Sequence, residues 1–311
     1  MSARYIGRFA PSPTGPLHAG SLLAALASFL DARAAGGRWL LRIEDVDKHR
    51  SVKGASDAIL RSLETHGLRW DGDIAWQRER DARYETALQQ LAVAERIFYC
   101  NCTRKNLRST RQGKPHNNEG VYPGYCRARR HCDYQPASAT GPASHAIRFD
   151  VSGLPALQFE DRVLGTQRFD LHDLGDFIVR RRDGLFAYQL AVVVDDAEQG
   201  ITDVVRGQDL LDSTPWQIAL QQAFGYSTPR YAHLPLLLHA ANGAKLSKQT
   251  GAPALDDSCA AANLLLALQR LGQVLPVQSG DTLPCPDEIL DHAVANWSLQ
   301  KMPRKAISIS L

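Results

Sequence analysis

The stretch RFAPSPTGPLHAGS, from Arg8 to Ser21, carries the strongest structural signal in this sequence. Apolar residues before it predict a short strand, and LLAALASFL (Leu22 to Leu30) predicts an apolar helix directly after it. Prolines stiffen the loop between them, and its glycines let a ligand approach the backbone. Because unpaired amides and the helix dipole point out of a helix N-terminus, the stretch predicts an anion site. The alternative is an ordinary strand-to-helix turn with an exposed His18.

A second stretch, GAKLSKQTG (Gly243 to Gly251), places Lys245 and Lys248 three residues apart. Alone, such a pair is usually a solvated charge pair. Together, HAGS after an N-terminal strand and KLSK more than 200 residues later resemble the paired signatures of class I aminoacyl-tRNA synthetases. Further motifs narrow this resemblance, which runs from Arg4 to about Pro253, to the glutamyl branch. They are RFAPSPTG, RIEDVDKHR (Arg42 to Arg50), GLFAYQLAVVVDDAEQGITDVVRG (Gly184 to Gly207) and HLPLLL (His233 to Leu238).

The composition is that of an ordinary globular protein, with 311 residues, 44% hydrophobic and 22% charged. A chain of this length can bury a sizeable core and form two or three subdomains. The net charge of +3 is too small to indicate nucleic-acid binding by itself. Residues 104–131, however, contain eight basic residues and one acid, Glu119. This run is either a solvated face or a surface for backbone phosphates.

The chain has no apolar run long enough to span a bilayer and no signal-peptide pattern. We therefore expect a cytoplasmic protein without a membrane partner, in which thiols stay reduced.

The resemblance implies an α/β fold of the class I synthetase type, with a Rossmann-like parallel sheet. We expect residues 1–99 to form the first half of the catalytic domain, 100–183 an inserted α+β subdomain that bears zinc and contacts the acceptor, 184–253 the second half with the KLSK loop, and 254–311 a short helical C-terminal region. Strands are predicted over residues 4–10, 39–43, 146–151, 157–165, 176–181, 185–194, 201–205 and 233–239. Helices are predicted over residues 18–35, 57–66, 82–97, 214–224, 263–271 and 289–297.

By resemblance, the two signatures bind ATP and catalyse the adenylation of an amino acid. His18 and Ser21 at the helix entrance, with Gly20, would contact the phosphates, and Lys245 and Lys248 would neutralise the leaving pyrophosphate. The family places a second histidine where this chain has Ser21. A hydroxyl still donates a hydrogen bond, so we expect activity.

The resemblance also implies a glutamate pocket. Arg8 and Arg206 would pair with carboxylate, since a guanidinium can bind it in a bidentate manner, and Glu44 would face the ammonium. The other pocket residues would be Phe9, Ala10, Pro11, Ser12 and Tyr188. The alternatives are structural ion pairs, between Glu44 and Arg42 or between Arg206 and one of its neighbouring acids. Those acids are Asp195, Asp196 and Asp209.

Three cysteines, Cys100, Cys102 and Cys126, are typical of thiolate ligands for a tetrahedral zinc ion. From chemistry alone, the fourth ligand would be His131 or Cys132. The resemblance instead implies Tyr122, which lies four residues before the third cysteine. The alternative is three buried thiols without metal. The remaining two cysteines, Cys259 and Cys285, have no partner in sequence, and we expect them in the core.

Only 63 residues follow Lys248, whereas glutamyl-tRNA synthetases continue into a large helical domain that reads the anticodon. We therefore expect that this domain is absent, as in truncated paralogues of the family. Such a paralogue activates L-glutamate with ATP and Mg²⁺ and transfers it to the cis-diol of queuosine, at the wobble position of tRNA(Asp). We expect it to act as a monomer. The alternatives are a conventional glutamyl-tRNA synthetase without its anticodon domain and a catalytically idle tRNA-binding paralogue, which Ser21 would favour.

Overall fold

The computed structural model describes residues 4–103, 121–122, 124–129, 145–240, 243, 245, 253–277 and 283–309. Its strands, in chain order, are β1 (Ile6–Phe9), β2 (Arg38–Ile43), β3 (Ala75–Trp76), β4 (Ile97–Cys100), β5 (Ala146–Phe149), β6 (Leu157–Asp161), β7 (Gly165–Phe169), β8 (Phe177–Arg180), β9 (Asp203–Gly207), β10 (Arg230–Leu234), β11 (Leu237–His239) and β12 (Ile307–Ile309). Its α-helices are α1 (Ala19–Ala34), α2 (Ala55–Thr65), α3 (Asp81–Val93), α4 (Leu171–Leu174), α5 (Tyr188–Glu198), α6 (Thr214–Phe224), α7 (Ala260–Arg270) and α8 (Pro286–Ala295).

Parallel strands from both halves of the chain form the centre of the fold. In the first half β1 pairs with β2 and β2 with β3, and in the second half β9 pairs with β10, all in parallel. The two halves meet where the Thr202 amide donates to the Ile6 carbonyl at 2.9 Å. The sequence prediction of a parallel α/β sheet is therefore confirmed. The carboxyl ends of β1, β2 and β9 come together at one edge, where such sheets bind ligands.

The region between the halves contributes strands to two sheets. Strands β4, β5 and β8 form an antiparallel sheet of their own. The hairpin of β6 and β7 instead joins the second half of the parallel sheet, because Asp161 of β6 pairs with Tyr231 of β10. This hairpin is thus attached directly to the strands that carry the candidate site.

The predicted strand over residues 185–194 is wrong, because Tyr188–Glu198 forms helix α5. Seven consecutive residues of α5 are buried, so the segment has no polar face and no helical periodicity in its sequence. The predicted strand 233–239 is divided at Pro235, between β10 and β11, since proline cannot donate a ladder hydrogen bond. No helix of the described residues is long and apolar enough to cross a membrane.

Candidate active site

A cavity of about 1020 Å³ opens at the carboxyl edge of the parallel sheet. It brings together most of the residues that the sequence predicts for a glutamate pocket. They are Arg8, Phe9, Ala10, Ser12, Glu44, Tyr188 and Arg206. Pro11 holds the wall in place, because its carbonyl accepts the Glu44 amide at 2.9 Å and ties the first loop to the end of β2.

Arg8 and Glu44 belong to a buried cluster of charges. Arg8 Nε donates to Asp196 Oδ1 at 3.2 Å, and Arg42 Nη2 donates to the same atom at 2.7 Å. Arg42 also pairs with Glu44 at 3.3 Å, as the alternative interpretation of Glu44 predicts. Glu44 nevertheless lines the cavity, so the ion pair and a binding role are compatible. Two arginines and two carboxylates therefore share one network beneath the cavity.

Burial raises the pKa of Glu44 to about 7, although the positive charges of Arg42 and Arg8 oppose this shift. Burial also acts on Asp196, but Arg8 and Arg42 outweigh it and hold the pKa of that carboxyl below its usual range. Asp196 therefore stays ionised near neutral pH and is the counter-ion of Arg8 and Arg42. The pKa of Glu44 lies near neutral pH, so a bound ligand can change the charge of this carboxyl.

A second layer of contacts fixes Arg42 from behind. Asp195, which is completely buried, lies 3.7 Å from Arg42 Nε and accepts from Gln77 Nε2 at 2.8 Å and from Arg80 Nε at 2.6 Å. Sequence analysis missed Gln77, which lines the cavity. A signal existed, because Gln77 directly follows β3 and the ends of parallel strands share an edge.

Arg206 is held in a different way, although it is also almost fully buried. Its strongest hydrogen bonds run from Nη1 to Gln217 Oε1 and from Nη2 to Thr214 Oγ1, both at 2.8 Å. Nε donates to His233 Nε2 at 3.2 Å, and Nη1 reaches the Tyr188 hydroxyl at 3.5 Å. Within the described residues no carboxylate forms an ion pair with Arg206, so the alternative of a structural salt bridge is not what the structure shows.

His18 caps helix α1 through its side chain. Its Nδ1 accepts the amides of Gly20 at 3.1 Å and Ser21 at 3.3 Å, and its carbonyl accepts the Leu22 amide. These amides are therefore engaged within the loop, unlike the unpaired amides that the sequence predicts. Because Nδ1 is an acceptor, the proton of the neutral ring lies on Nε2. As ATP contacts, His18, Gly20 and Ser21 stay predictions.

Of the two signature lysines, the structure describes only Lys245. Its Nζ lies 2.6 Å from Asp209 Oδ2, and Asp209 lines the cavity. The ion pair thus brings Lys245 to the rim of the predicted pocket. Lys248 lies outside the described residues, and its role stays a prediction.

Cys100, Cys102 and Cys126 form a compact cluster whose sulfur atoms all lie within 4.8 Å of one another. The sulfurs of Cys102 and Cys126 are 3.7 Å apart. Tyr122 lies beside them, and its hydroxyl accepts the Cys126 amide at 2.8 Å. Burial raises the pKa of the Cys126 thiol, but hydrogen bonds from Tyr122 and the Asn101 backbone lower it to about 7. The cluster could hold a metal ion.

A family model described as tRNA synthetases class I (E and Q), catalytic domain, matches residues 6–263. The chain belongs to this family. It is therefore an aminoacyl-tRNA synthetase of the ligase type, and ATP dependence is typical of its class.

Relatives resemble this synthetase over almost its whole length. It is 49% identical to a glutamyl-Q tRNA(Asp) synthetase from Ectopseudomonas mendocina, over 98% of this chain and 97% of the relative. It is 50% identical to a protein of the same name from Chromobacterium violaceum, over 100% and 99% of the two chains. The crystal structure of a glutamate-tRNA synthetase from Elizabethkingia anophelis shares its fold, with a TM-score of 0.76 and 24% identity, over 99% of this chain and 68% of that one.

The cavity is also lined by residues that sequence analysis did not assign to a site, namely His49, Arg50, Arg148 and Arg181. Arg181 pairs with Asp47, another lining residue, at 2.7 Å. Cys102 of the thiol cluster lines the cavity as well, which places the candidate metal centre beside it.

Arg127, predicted within the basic run, pairs with Asp176 at 2.6 Å and lies 3.6 Å from Asp150, so it joins parts of the region between the two halves of the parallel sheet. Cys259 and Cys285 are exposed and not part of the core, because each lies at the start of a helix. The two reserve metal ligands, His131 and Cys132, lie outside the described residues.

Proposed function

We propose that this synthetase activates L-glutamate with ATP and Mg²⁺ and transfers it to the queuosine cis-diol at the wobble position of tRNA(Asp). The observation that carries the proposal is the identity of about 50%, over nearly all of both chains, to proteins named glutamyl-Q tRNA(Asp) synthetase. The cavity is lined or bordered by side chains of the kinds that bind glutamate and phosphate. Monomeric state and cytoplasmic location stay predictions.

In the proposed complex, glutamate lies against the sheet edge. Arg206 and Arg8 bind its carboxylates, because a guanidinium donates two parallel hydrogen bonds to such a group. Ionised Glu44 accepts from the ammonium. Tyr188 and Ser12 complete the polar contacts, and backbone of Phe9, Ala10 and Pro11 forms the floor.

In the first step the glutamate α-carboxylate attacks the α-phosphorus of ATP, and pyrophosphate leaves. His18 Nε2, with its proton, would donate to phosphate oxygens, and Ser21 would add a hydroxyl donor at the same helix end. Lys245 and Lys248 would neutralise the charge on the leaving pyrophosphate. In the second step a hydroxyl of the acceptor diol attacks the acyl carbon of glutamyl-AMP and loses its proton, the bond from that carbon to the phosphate oxygen breaks, and AMP leaves.

The donor set of the cysteine cluster fits one structural zinc ion. Tetrahedral thiolates at about 2.3 Å from zinc lie roughly 3.8 Å apart, close to the 3.7 Å between Cys102 and Cys126. The zinc would hold this part of the insert together, with Tyr122 as the fourth ligand. Metal analysis after dialysis should give one equivalent, which Cys126→Ser loses and the exposed control Cys285→Ser retains. If Cys132→Ser loses the metal and Tyr122→Phe does not, Cys132 is the fourth ligand.

The acceptor is tested with labelled glutamate and tRNA(Asp) made with and without queuosine. We expect transfer only to the modified tRNA. Periodate oxidation of the queuosine diol should abolish it, whereas removal of the 3′-terminal adenosine should not. Charging should fall steeply with salt, since phosphate contacts would provide much of the affinity.

A conventional glutamyl-tRNA synthetase gives the opposite results. Removal of the 3′ adenosine would then stop charging, and unmodified tRNA(Glu) would be a good substrate. An idle tRNA-binding paralogue would show no glutamate-dependent exchange between pyrophosphate and ATP. Either result contradicts the proposal.

A further inference from the structure

His233 lies directly behind Arg206, on the neighbouring strand β10, and is completely buried. Arg206 Nε donates to His233 Nε2 at 3.2 Å. A guanidinium has no acceptor atom, so His233 Nε2 must be unprotonated. The Thr214 hydroxyl, 3.0 Å from the same nitrogen, also bonds to Arg206 Nη2. Histidine and threonine together therefore set the plane of the guanidinium.

Asp161 determines where the single proton of His233 resides. Its Oδ2 lies 2.6 Å from His233 Nδ1, and a carboxylate at this distance accepts a hydrogen bond. Burial and the charge of Arg206 lower the pKa of His233, and they outweigh the opposing effect of Asp161. The hydrogen bonds at the two ring nitrogens thus specify one neutral form of His233, with its proton on Nδ1.

Asp161 is itself fixed by the β6–β7 hairpin. Its Oδ1 accepts the turn amides of Val163 at 3.0 Å and Leu164 at 2.9 Å. Asp161 is also the residue through which β6 pairs with β10. A continuous chain of hydrogen bonds therefore runs from the hairpin turn through Asp161 and His233 to Arg206 at the cavity wall.

We propose that His233 and Asp161 are positioning residues for the side-chain carboxylate of the substrate. They hold Arg206 through a neutral imidazole, so that its orientation is fixed while its charge is not cancelled. An acid in place of His233 would fix Arg206 equally well but would neutralise it. The inference rests on the proposed function, because it assumes that Arg206 binds the side-chain carboxylate of glutamate.

Three variants separate positioning from general stability. His233→Gln keeps an oxygen that can accept from Arg206 Nε, whereas His233→Leu does not. In Asp161→Asn the oxygen stays with the turn amides, and the new NH₂ faces His233 Nδ1. The ring proton must then move to Nε2, where it opposes the Arg206 Nε–H. The hairpin turn keeps its two hydrogen bonds, the tautomer changes, and the His233 backbone amide keeps only its 3.3 Å contact with Oδ1.

The kinetic readout is pyrophosphate exchange, with separate KM values for glutamate and ATP. In His233→Leu and Asp161→Asn we expect the glutamate KM to rise roughly 10- to 100-fold and the ATP KM to stay within about twofold. The glutamate KM of His233→Gln should lie between the values of these two variants and that of wild type. His66→Leu is the control, because His66 is equally buried but caps α2 away from the cavity. It should not change the ratio of the two KM values.

The tautomer is measured directly by ¹⁵N NMR of histidine-labelled wild type and Asp161→Asn. We expect protonated Nδ1 and unprotonated Nε2 for His233 in wild type, and the reverse in the variant. Protonated Nε2 in wild type would overturn the inference. So would parallel changes of both KM values in the variants, or no change at all. Wild type that shows no exchange with glutamate would overturn the proposed function and this role together, whereas active wild type with unaffected variants overturns only the role of His233.

Discussion

Two arginines line the same cavity, and their partners differ in charge. Arg8 donates to the carboxylate of Asp196, which it shares with Arg42. Each hydrogen bond that Arg206 donates within the described part of the chain goes to a neutral acceptor. Both side chains are almost fully buried, with 3% of Arg8 and 5% of Arg206 exposed, so solvent screens neither charge strongly.

The difference indicates a division of work. The Asp196 carboxylate neutralises much of the charge of Arg8, which suits a position beside both an anionic and a cationic group of the substrate. Arg206 keeps its full charge, which suits recognition of an isolated side-chain carboxylate. Neutral acceptors fix the orientation of Arg206 without cancelling the charge that would bind the carboxylate.

The comparison is tested most strongly by replacing each arginine with lysine. Arg206→Lys should lower kcat/KM for glutamate in pyrophosphate exchange roughly a thousandfold, because a point charge cannot satisfy both the carboxylate and the buried acceptors. Arg8→Lys should cost about tenfold less, since Asp196 already shares its charge. The exposed Arg168→Lys on β7 is the control and should leave kcat/KM unchanged. If Arg8→Lys proves the more damaging, the division of work is wrong.

Loss of the shared counter-ion should affect stability more than binding. Asp196→Asn leaves Arg8 buried without its carboxylate, which should reduce the free energy of unfolding by about 3 kcal/mol in urea titrations. The control Asp183→Asn removes an exposed ion pair with Arg181 and should cost less than about 1 kcal/mol. Equal losses in the two variants would show that burial of the Asp196 cluster has no energetic consequence.

The strands and helices that build this edge could largely be predicted, because RFAPSPTG and the run before Glu44 carry clear local patterns. Helix α5 could not, since burial on every side removes the periodicity that distinguishes a helix from a strand. The residues that would contact the substrate were predicted from motifs. Their supporting partners were not, because the contact of His233 with Asp161 joins residues 72 positions apart through a strand pairing that no local signal specifies.

The smallest expected effect concerns pH. Burial raises the pKa of Glu44 to about 7, so the carboxylate that would bind the ammonium is lost below that pH. The KM for glutamate should therefore rise by up to about tenfold per unit as pH falls below 7. The Glu44→Gln variant should have a high KM for glutamate that does not change between about pH 6 and about pH 8. A flat profile in wild type would show that Glu44 is not the group that titrates.

The same shift has a consequence for stability. The pKa of Glu44 is higher in the folded chain than its ordinary value, so the folded state binds this proton more tightly. The Glu44 side chain therefore stabilises the folded state at low pH, and this stabilisation is lost as pH rises from about 4.5 to about 7. The Glu44→Gln variant should lack this pH dependence of the free energy of unfolding. At about pH 8, roughly one unit above the pKa, it should be no less stable than wild type.

The most direct test of the account compares glutamate with glutamine in pyrophosphate exchange by the wild-type synthetase. Glutamine has the same shape but carries a neutral amide at the position where, in the proposed complex, Arg206 binds a carboxylate. We predict that kcat/KM for glutamate exceeds that for glutamine by roughly a thousandfold or more, because glutamine leaves the buried charge unpaired. Exchange that is equally fast with both amino acids would contradict the account.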